Sequence, residues 1–220
     1  RFNEFNSFGV SMDEAEPRFL ESIEIMKKSW LNDERWSYEG KFWQFNDIIV
    51  EPPCAQKPHP PLWLAAGHPA SIVTVANMGA NLLLDQFSPT KSVFERVQTF
   101  REAQQNYNSN KVNGEIALAR ALYIAKNEED KMNAIEKRMN ARARVDSLSQ
   151  RPDGKNKASI MIHKGADEAS LGALIGTVDE IVERLHQLKE GGINYILLVD
   201  AGGGVEGLRK FARDIEPQIN

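Results

Sequence analysis

Residues 61–79 read PLWLAAGHPASIVTVANMG, and this stretch decides the fold. An apolar run at residues 62–66 is interrupted at residues 67–69 and then resumes with helical spacing up to a glycine. The pattern predicts a buried strand, a tight turn and a helix. We expect the turn to leave the backbone N–H groups of Ala70 and Ser71 free, where unpaired donors and the helix dipole favour an anion.

The composition is that of an ordinary globular protein and excludes several classes of function. The chain has 220 residues, 41% hydrophobic and 26% charged, with a net charge of -4. That charge gives no basic footprint for nucleic acid, and the apolar runs are too short to span a membrane. The single cysteine, Cys54, excludes an internal disulfide and fits a reducing, cytoplasmic location. The chain opens with Arg1, and we expect it to begin inside a domain.

Three further apolar runs, at residues 81–85, 116–125 and 193–199, alternate with helical patterns. Before the last of them, Thr177 and Glu180 have the spacing of a capping box. Strands that are apolar throughout are typical of a parallel sheet covered by helices. We predict that the four strands lie parallel in chain order. Four strands fit either a small doubly wound domain or half of an eight-stranded barrel.

The segment before residue 61 predicts a helix and a hairpin. Ser11 and Glu14 have capping-box spacing, and Pro17 implies that the helix starts near Glu16 or is kinked early. Two aromatic runs within residues 36–45 flank Gly40, from which we expect the positive φ of a tight turn. We predict that this hairpin lies outside the parallel sheet.

A long charged helix is predicted at residues 128–149, with Met132, Ile135 and Met139 as its buried stripe. Four arginines surround the end of this helix, namely Arg138, Arg142, Arg144 and Arg151. We expect them to form a solvated face; the alternative is a cap that carries positive charge for an anionic ligand. Breaker residues and arginines predict that residues 140–157 are mobile and become ordered over a bound ligand.

The chain carries few residue patterns with chemistry of their own. There is no phosphate-binding glycine loop, catalytic elbow or zinc spacing, so we expect no metal and can name no catalytic acid or base. The ends of the predicted strands present Gly67, His68, Asp85, Gln86 and Gly202 at the edge where parallel sheets bind ligands. A scaffold of this kind fits a reaction driven by a cofactor.

Several blocks, in order and over nearly the whole chain, resemble the luciferase-like flavin-dependent monooxygenases. They are EFNSFGVSMDEAEPRFLESIEIMKKSW, YEGKFWQF, PPCAQKPHPPLWLAAGHPAS, ALIGTVDEIVERL, GGINYILLVDAGG and FARDIEPQI. The resemblance implies an α/β fold, the TIM-type (β/α)8 barrel. On that alignment residues 1–220 are one barrel domain that lacks its N-terminal part. The chain itself supplies strands 5–8, and the hairpin is an excursion from the barrel.

The resemblance also implies a cofactor site at the turn after strand 5. The flavin phosphate would be held by Gly67, His68, Ala70 and Ser71, although related chains often carry serine in place of His68. Reduced FMN, supplied by a separate flavin reductase, would react with oxygen and oxidise a small organic substrate. Besides the reductase and the substrate, we expect a further copy of the chain as a partner in a homo-oligomer.

Two other functions stay open at this point. A deazaflavin-dependent oxidoreductase would share the fold and transfer a hydride without oxygen. A non-catalytic flavin-binding or structural chain would bind the phosphate and do nothing more.

Overall fold

The computed structural model describes residues 2–107, 114–149 and 172–219. The chain forms two compact units, Arg1–Pro61 and Leu62–Asn220, and each is described by itself. The described part of the first unit contains a two-stranded sheet, and that of the second a five-stranded sheet. The expectation of one domain over residues 1–220 stays a prediction.

The first unit begins with helices: α1 is Phe2–Ser7, a 3₁₀ turn is Met12–Glu14, and α2 is Ala15–Leu31. The Ser11 hydroxyl accepts a hydrogen bond from the Asp13 N–H at 3.3 Å and thereby caps the 3₁₀ turn. Pro17 lies in the first turn of α2, where the missing N–H has no helical acceptor to lose. Of the two arrangements expected, the chain adopts the one in which the helix starts close to Glu16.

The hairpin consists of β1, Trp36–Glu39, and β2, Gln44–Ile48, which pair antiparallel. It forms a sheet of its own, so the prediction that it lies outside the parallel sheet is confirmed. The role predicted for Gly40 is wrong, because Gly40 is not among the described glycines that have a positive φ. A Cβ at Gly40 would instead overlap the Glu21 carboxylate, which accepts hydrogen bonds from the Phe42 and Trp43 N–H groups. Glycine is needed here for this close approach.

The second unit alternates strands and helices. Its strands are β3 (Trp63–Ala65), β4 (Asn81–Leu84), β5 (Ile116–Ile124), β6 (Leu174–Gly176) and β7 (Tyr195–Asp200). Its helices are α3 (Pro69–Asn77), α4 (Thr90–Tyr107), α5 (Glu128–Ser149), α6 (Val178–Glu190), α7 (Gly204–Asp214) and α8 (Glu216–Ile219). The capping box predicted for α6 is confirmed, with both Thr177 and Glu180 hydrogen bonds present.

The order of the four predicted strands is confirmed. β3 pairs with β4, β4 with β5 and β5 with β7, and every pairing is parallel. The sequence did not predict β6, a three-residue strand that also pairs parallel with β5. Leu122 of β5 is in register with both Leu174 and Asp200, so β6 and β7 lie on opposite edges of β5.

One face of the sheet is covered by helices, and the other is partly bare. On the covered face, strand residues such as Leu82, Leu84 and Leu118 pack against Ile72 of α3 and Phe100 of α4. The opposite face, here called the open face, is defined by paired residues of neighbouring strands: Ala65, Leu83, Ala117, Ala119, Ala121, Tyr195, Leu197 and Val199. Its alanines are small, and Tyr195 and Leu197 are 50% and 48% exposed. The open face therefore offers an apolar surface with space above it.

The loop after β4, residues 85–88, is organised by one carboxylate. Asp85 accepts hydrogen bonds from the N–H groups of Phe87 and Ser88 at 2.7 and 2.9 Å. It also accepts one from the Ser88 hydroxyl and pairs with Arg96 of α4, both at 2.7 Å. Its lone pairs are thus satisfied by the loop itself and by one buried cation.

A second buried cation, on the strand β5, donates hydrogen bonds to the same loop. Arg120 is 1% exposed and projects from the middle of β5. Its guanidinium donates to the carbonyl oxygens of Asp85 at 3.1 Å and Ser88 at 3.0 Å. Burial lowers the pKa of Arg120 to about 10, so the group stays protonated near neutral pH. The loop is fixed by its own turn and by two arginines on different elements.

Asp85 gives the protein an acid-dependent component of stability. Burial on its own would raise the pKa of Asp85, but the hydrogen bonds from Ser88 and Phe87 and the charge of Arg96 outweigh it and lower the pKa. A carboxyl whose pKa is lower in the folded state stabilises that state above its unfolded pKa of about 3.9. This contribution is lost as the pH falls through the folded pKa.

We expect Asp85→Asn to lower the free energy of unfolding near neutral pH by about 3–5 kcal/mol, because Arg96 is left buried without its partner. The gap between the stability curves of parent and variant should narrow as the pH falls below about 3.9, because the unfolded carboxyl of the parent then takes up a proton before the folded one does. The measurement is thermal unfolding from pH 3 to pH 7. Asp33→Asn is the matched control, since its ion pair with Lys57 is exposed and contributes little. A constant gap between the two curves at every pH would contradict the account.

Candidate functional site

The turn between β3 and α3 positions the first candidate residues. His68 is the N-cap of α3 and Pro69 is its first residue, which suits a proline because that position needs no donor. The His68 carbonyl accepts the Ile72 N–H at 3.0 Å, and the His68 ring nitrogen Nδ1 accepts the Ala70 N–H at 3.3 Å. The cap thus uses the unprotonated Nδ1 of the imidazole.

This cap corrects the expectation of two free donors. The Ala70 N–H is engaged by His68 and becomes available only if the ring turns away. The Ser71 N–H lies in the first helical turn, where the helix offers no acceptor, and the Ser71 side chain is exposed. A helix N-terminus with one open amide and one exposed hydroxyl fits an anionic oxygen.

The turn borders a cavity of about 360 Å³ at the carboxyl ends of the strands. We call it the strand-end cavity; its walls include Ala65, Gly67, Leu83, Gln86, Ala119 and Leu197. Four of these residues carry only apolar side chains, and alanine at positions 65 and 119 leaves the space that a larger residue would fill. The cavity can receive a flat, largely apolar group whose polar end reaches the turn at Gly67.

A second cavity of about 320 Å³ adjoins the first and shares Gln86 and Phe87 with it. We call it the basic cavity, because Lys137, Arg138 and Arg142 of α5 line it. Arg138 donates to the Gln86 carbonyl at 2.6 Å, and its guanidinium lies 5.2 Å from the centre of the Phe87 ring. Arg142 lies over the same ring at 5.6 Å. Burial and the nearby charge of Arg142 lower the pKa of Arg138 to about 10.

The inward face of α5 matches the predicted stripe only in part, because Ile135 packs against the buried cluster of Ala121, Ala134, Ala173 and Ile175 but Met132 does not. Met132 is 56% exposed, whereas Ala134 and Arg142 are buried. Ala134 packs on Ala121 and Ala173, and this contact between small residues turns the 134, 138 and 142 positions inward. The expectation that the arginines form a solvated face is therefore wrong for Arg138 and Arg142.

The other residues of that region divide in two groups. Arg144 is exposed, as expected for a solvated face. Arg151 and residues 150–157 lie outside the described part of the chain, while residues 140–149 continue α5. The mobility predicted for residues 140–157 stays a prediction.

The glycine run after β7 is already occupied by a carboxylate of the chain. Asp200 accepts hydrogen bonds from the N–H groups of Gly202, Gly203 and Gly204 through one oxygen, at 3.1, 2.8 and 3.0 Å. Gly202 and Gly204 have φ values of 113° and 57°, which other residues rarely adopt. Since these donors face a negative group, the run is a poor site for a phosphate.

Sequence reasoning grouped Gly67, His68, Ala70 and Ser71 because they are neighbours in the chain, and the turn presents them together. It named Asp85 and Gln86 as strand-end residues but missed Arg96 and Arg120, which fix their loop. The signal for Arg120 was a single arginine inside an apolar strand.

Among residues 2–107, 114–149 and 172–219, no three metal-binding side chains cluster. None of the described helices is long and apolar enough to cross a membrane.

Two curated relatives name flavin chemistry. The oxygenase component of a flavin-dependent trigonelline monooxygenase of Acinetobacter baylyi is 32% identical over 126 residues, 56% of this chain and 33% of that protein. An FMNH2-dependent dimethylsulfone monooxygenase of Pseudomonas putida is 24% identical over 212 residues, 88% of this chain and 56% of that protein. The chain thus spans between a third and somewhat over half of the length of these relatives.

Solved structures have the same fold. The monooxygenase RslO1 of Streptomyces bottropensis matches with a TM-score of 0.73 and 27% identity, covering 99% of this chain and 66% of that one. An F420-dependent secondary alcohol dehydrogenase matches with a TM-score of 0.71 and 18% identity, covering 91% and 60%. The family profile described as luciferase-like monooxygenase matches residues 1–195. From this match and from the parallel sheet with its strand-end cavity, we conclude that the chain belongs to the luciferase-like monooxygenase family.

Proposed function

We propose that this chain carries the FMN site of a flavin-dependent monooxygenase that oxidises a small organic substrate with oxygen. The observation that carries the proposal is the N-terminus of α3, which opens beside the strand-end cavity in a member of this family. FMN has an anionic phosphate at one end and a flat ring system at the other. The turn and the cavity offer complementary surroundings for these two ends.

The phosphate would lie at Gly67, His68, Ala70 and Ser71. The Ser71 N–H and hydroxyl are the donors that need no rearrangement. The Ala70 N–H joins them if the His68 ring rotates and releases it, and the freed imidazole can then donate through its own N–H. A doubly charged phosphate favours this exchange, because charge-assisted hydrogen bonds are roughly twice as strong as neutral ones.

The ring system would lie in the strand-end cavity, against the alanines of the open face. Bound reduced FMN would supply the oxygen-activating chemistry, while the chain binds, orients and shields it. Ala65, Leu83 and Leu197 offer no proton donors and exclude water once covered. The fixed loop at residues 85–88 forms one wall of the cavity, so its rigidity would define where the ring can lie.

The open face implies further protein above it. Tyr195, Leu197 and Val199 are large apolar residues that are 37–50% exposed on a strand that, within the described residues, pairs only with β5. We propose that these strands are strands 5–8 of a TIM-type barrel whose other strands cover this face. The exposed apolar surface and the partial coverage of the relatives support this assignment.

The proposed activity needs a partner that reduces the flavin. The trigonelline relative is described as the oxygenase component of its enzyme, which supports a separate flavin reductase for this protein too. No general acid or base is assigned, because no described residue at the strand-end cavity combines a free titratable group with a suitable position. The predicted homo-oligomer stays a prediction.

Oxygen kinetics distinguish the proposal from both alternatives. We expect the complete protein, mixed anaerobically with reduced FMN and then with oxygen, to take up oxygen before the absorbance of oxidised flavin returns. A shielded cavity delays that return, whereas the two events coincide for free FMN. Coincidence in the presence of the protein would favour the non-catalytic alternative. Tight binding of a deazaflavin cofactor without binding of FMN would favour hydride transfer, for which the F420-dependent neighbour gives the precedent in fold.

Substitutions at Ser71 test the position of the phosphate. We expect Ser71→Ala to weaken FMN binding about ten- to hundredfold, because it removes one hydrogen bond to a charged group, worth roughly 1.5–3 kcal/mol. Ser71→Asp should abolish binding through charge repulsion, and His68→Ser should have a mild effect, because the backbone donors remain. The measurement is fluorescence titration of the complete protein with FMN.

Ser92→Asp is the matched control for this series. Ser92 is the third residue of α4, just as Ser71 is the third residue of α3, so the same charge enters the same position of another helix. The control should bind FMN like the parent. If Ser71→Asp also binds FMN like the parent, with unchanged circular dichroism, the phosphate lies elsewhere.

A further inference from the structure

We propose that the basic cavity binds the carboxylate of an anionic organic substrate through Arg138 and Arg142. The inference rests on the proposed function in one respect: it places the substrate next to the flavin ring. The binding of a carboxylate is itself independent of flavin. The argument has three steps, which concern charge, geometry and the neighbouring cavity.

The first step concerns charge. Among the described residues, three cations, Lys137, Arg138 and Arg142, line the cavity together with one carboxylate, Asp200. The charge of Asp200 is directed at three backbone N–H groups of the glycine run rather than at the arginines. In the described part of the chain, no carboxylate lies within ion-pair distance of Lys137 or Arg138. Burial and the charge of Arg142 lower the pKa of Arg138, and an anion beside Arg138 would favour its charged form.

The second step concerns geometry. Both guanidinium groups lie over the ring of Phe87, at 5.2 and 5.6 Å from its centre. Arg138 is held further by the carbonyl and side-chain oxygens of Gln86. Arginines that are fixed in this way lose little freedom on binding, and their planar groups match the two oxygens of a carboxylate. The loop that fixes them is the rigid one organised by Asp85.

The third step concerns the neighbouring cavity. Gln86 and Phe87 separate the basic cavity from the strand-end cavity, where we place the flavin ring. The proposed phosphate position at Gly67 borders the strand-end cavity and not the basic cavity. A substrate whose carboxylate is held by Arg138 and Arg142 would extend its reactive part over Phe87 toward the ring. The arginines therefore serve substrate binding, and the turn at α3 serves the cofactor.

The test is equilibrium titration of the complete protein with benzoate and with benzamide, its neutral counterpart of nearly the same shape. Titrations run with and without FMN, so a failure to bind FMN would reject the proposed function and leave the carboxylate test intact. We expect benzoate to bind at least tenfold more tightly than benzamide. Arg138→Met and Arg142→Met should each weaken benzoate binding about tenfold to a hundredfold. Their affinity for benzamide should be unchanged. Arg144→Met is the matched control, an exposed arginine on the same helix, and should retain the preference.

Three results would overturn the proposal. One is equal affinity for benzoate and benzamide in the parent. Another is a preference that survives in both arginine variants. The third is that the arginine variants lose as much affinity for FMN as for benzoate, which would assign the basic cavity to the flavin phosphate. Circular dichroism checks that the variants are folded. If the arginine variants unfold, Lys137→Met, at the exposed rim of the basic cavity, replaces them. We expect this variant to lose several-fold of its benzoate affinity, and an unchanged affinity would contradict the inference.

Discussion

The ion pair between Asp85 and Arg96, 2.7 Å long and almost fully buried, is the interaction on which the proposed site depends. A buried pair of this kind is costly to break, because either partner alone would be a desolvated charge. Asp85 also accepts hydrogen bonds from the N–H groups of Phe87 and Ser88 in its own loop, and Arg120 donates hydrogen bonds to the carbonyl oxygens of Asp85 and Ser88. The loop is thus held through both its N–H groups and its carbonyl groups. It is the wall shared by both cavities, so the position of one cavity relative to the other is set by this cluster.

The division of roles follows from where each charge lies. The α3 N-terminus offers backbone and hydroxyl donors, which suit a phosphate that approaches closely. The α5 arginines offer long, planar cations fixed over an aromatic ring, which suit a carboxylate at the end of a substrate. Between them lies an apolar surface built from alanines of alternate strand positions. Phosphate, ring and substrate would then occupy successive parts of one edge of the sheet.

Sequence periodicity was sufficient for the fold but not for the site. Four apolar runs predicted four parallel strands in the correct order, because burial on the covered face leaves a clear pattern. The strand β6 was missed because three residues are too short to show a period. The inward face of α5 was predicted only in part, because Arg138 and Arg142 look like solvent-facing residues. They are turned inward by the contact of Ala134 with two other alanines, which no local pattern reveals.

Backbone details were beyond the sequence for a related reason. The need for glycine at position 40 depends on the nearby Glu21 carboxylate, and the engagement of the Ala70 N–H depends on the rotamer of His68; both are matters of three-dimensional contact. Hydrogen–deuterium exchange of the complete protein with and without FMN tests the central claim most directly. The account predicts added protection at residues 66–72 and 85–88, with little change at residues 201–207. Protection confined to residues 201–207 would contradict it.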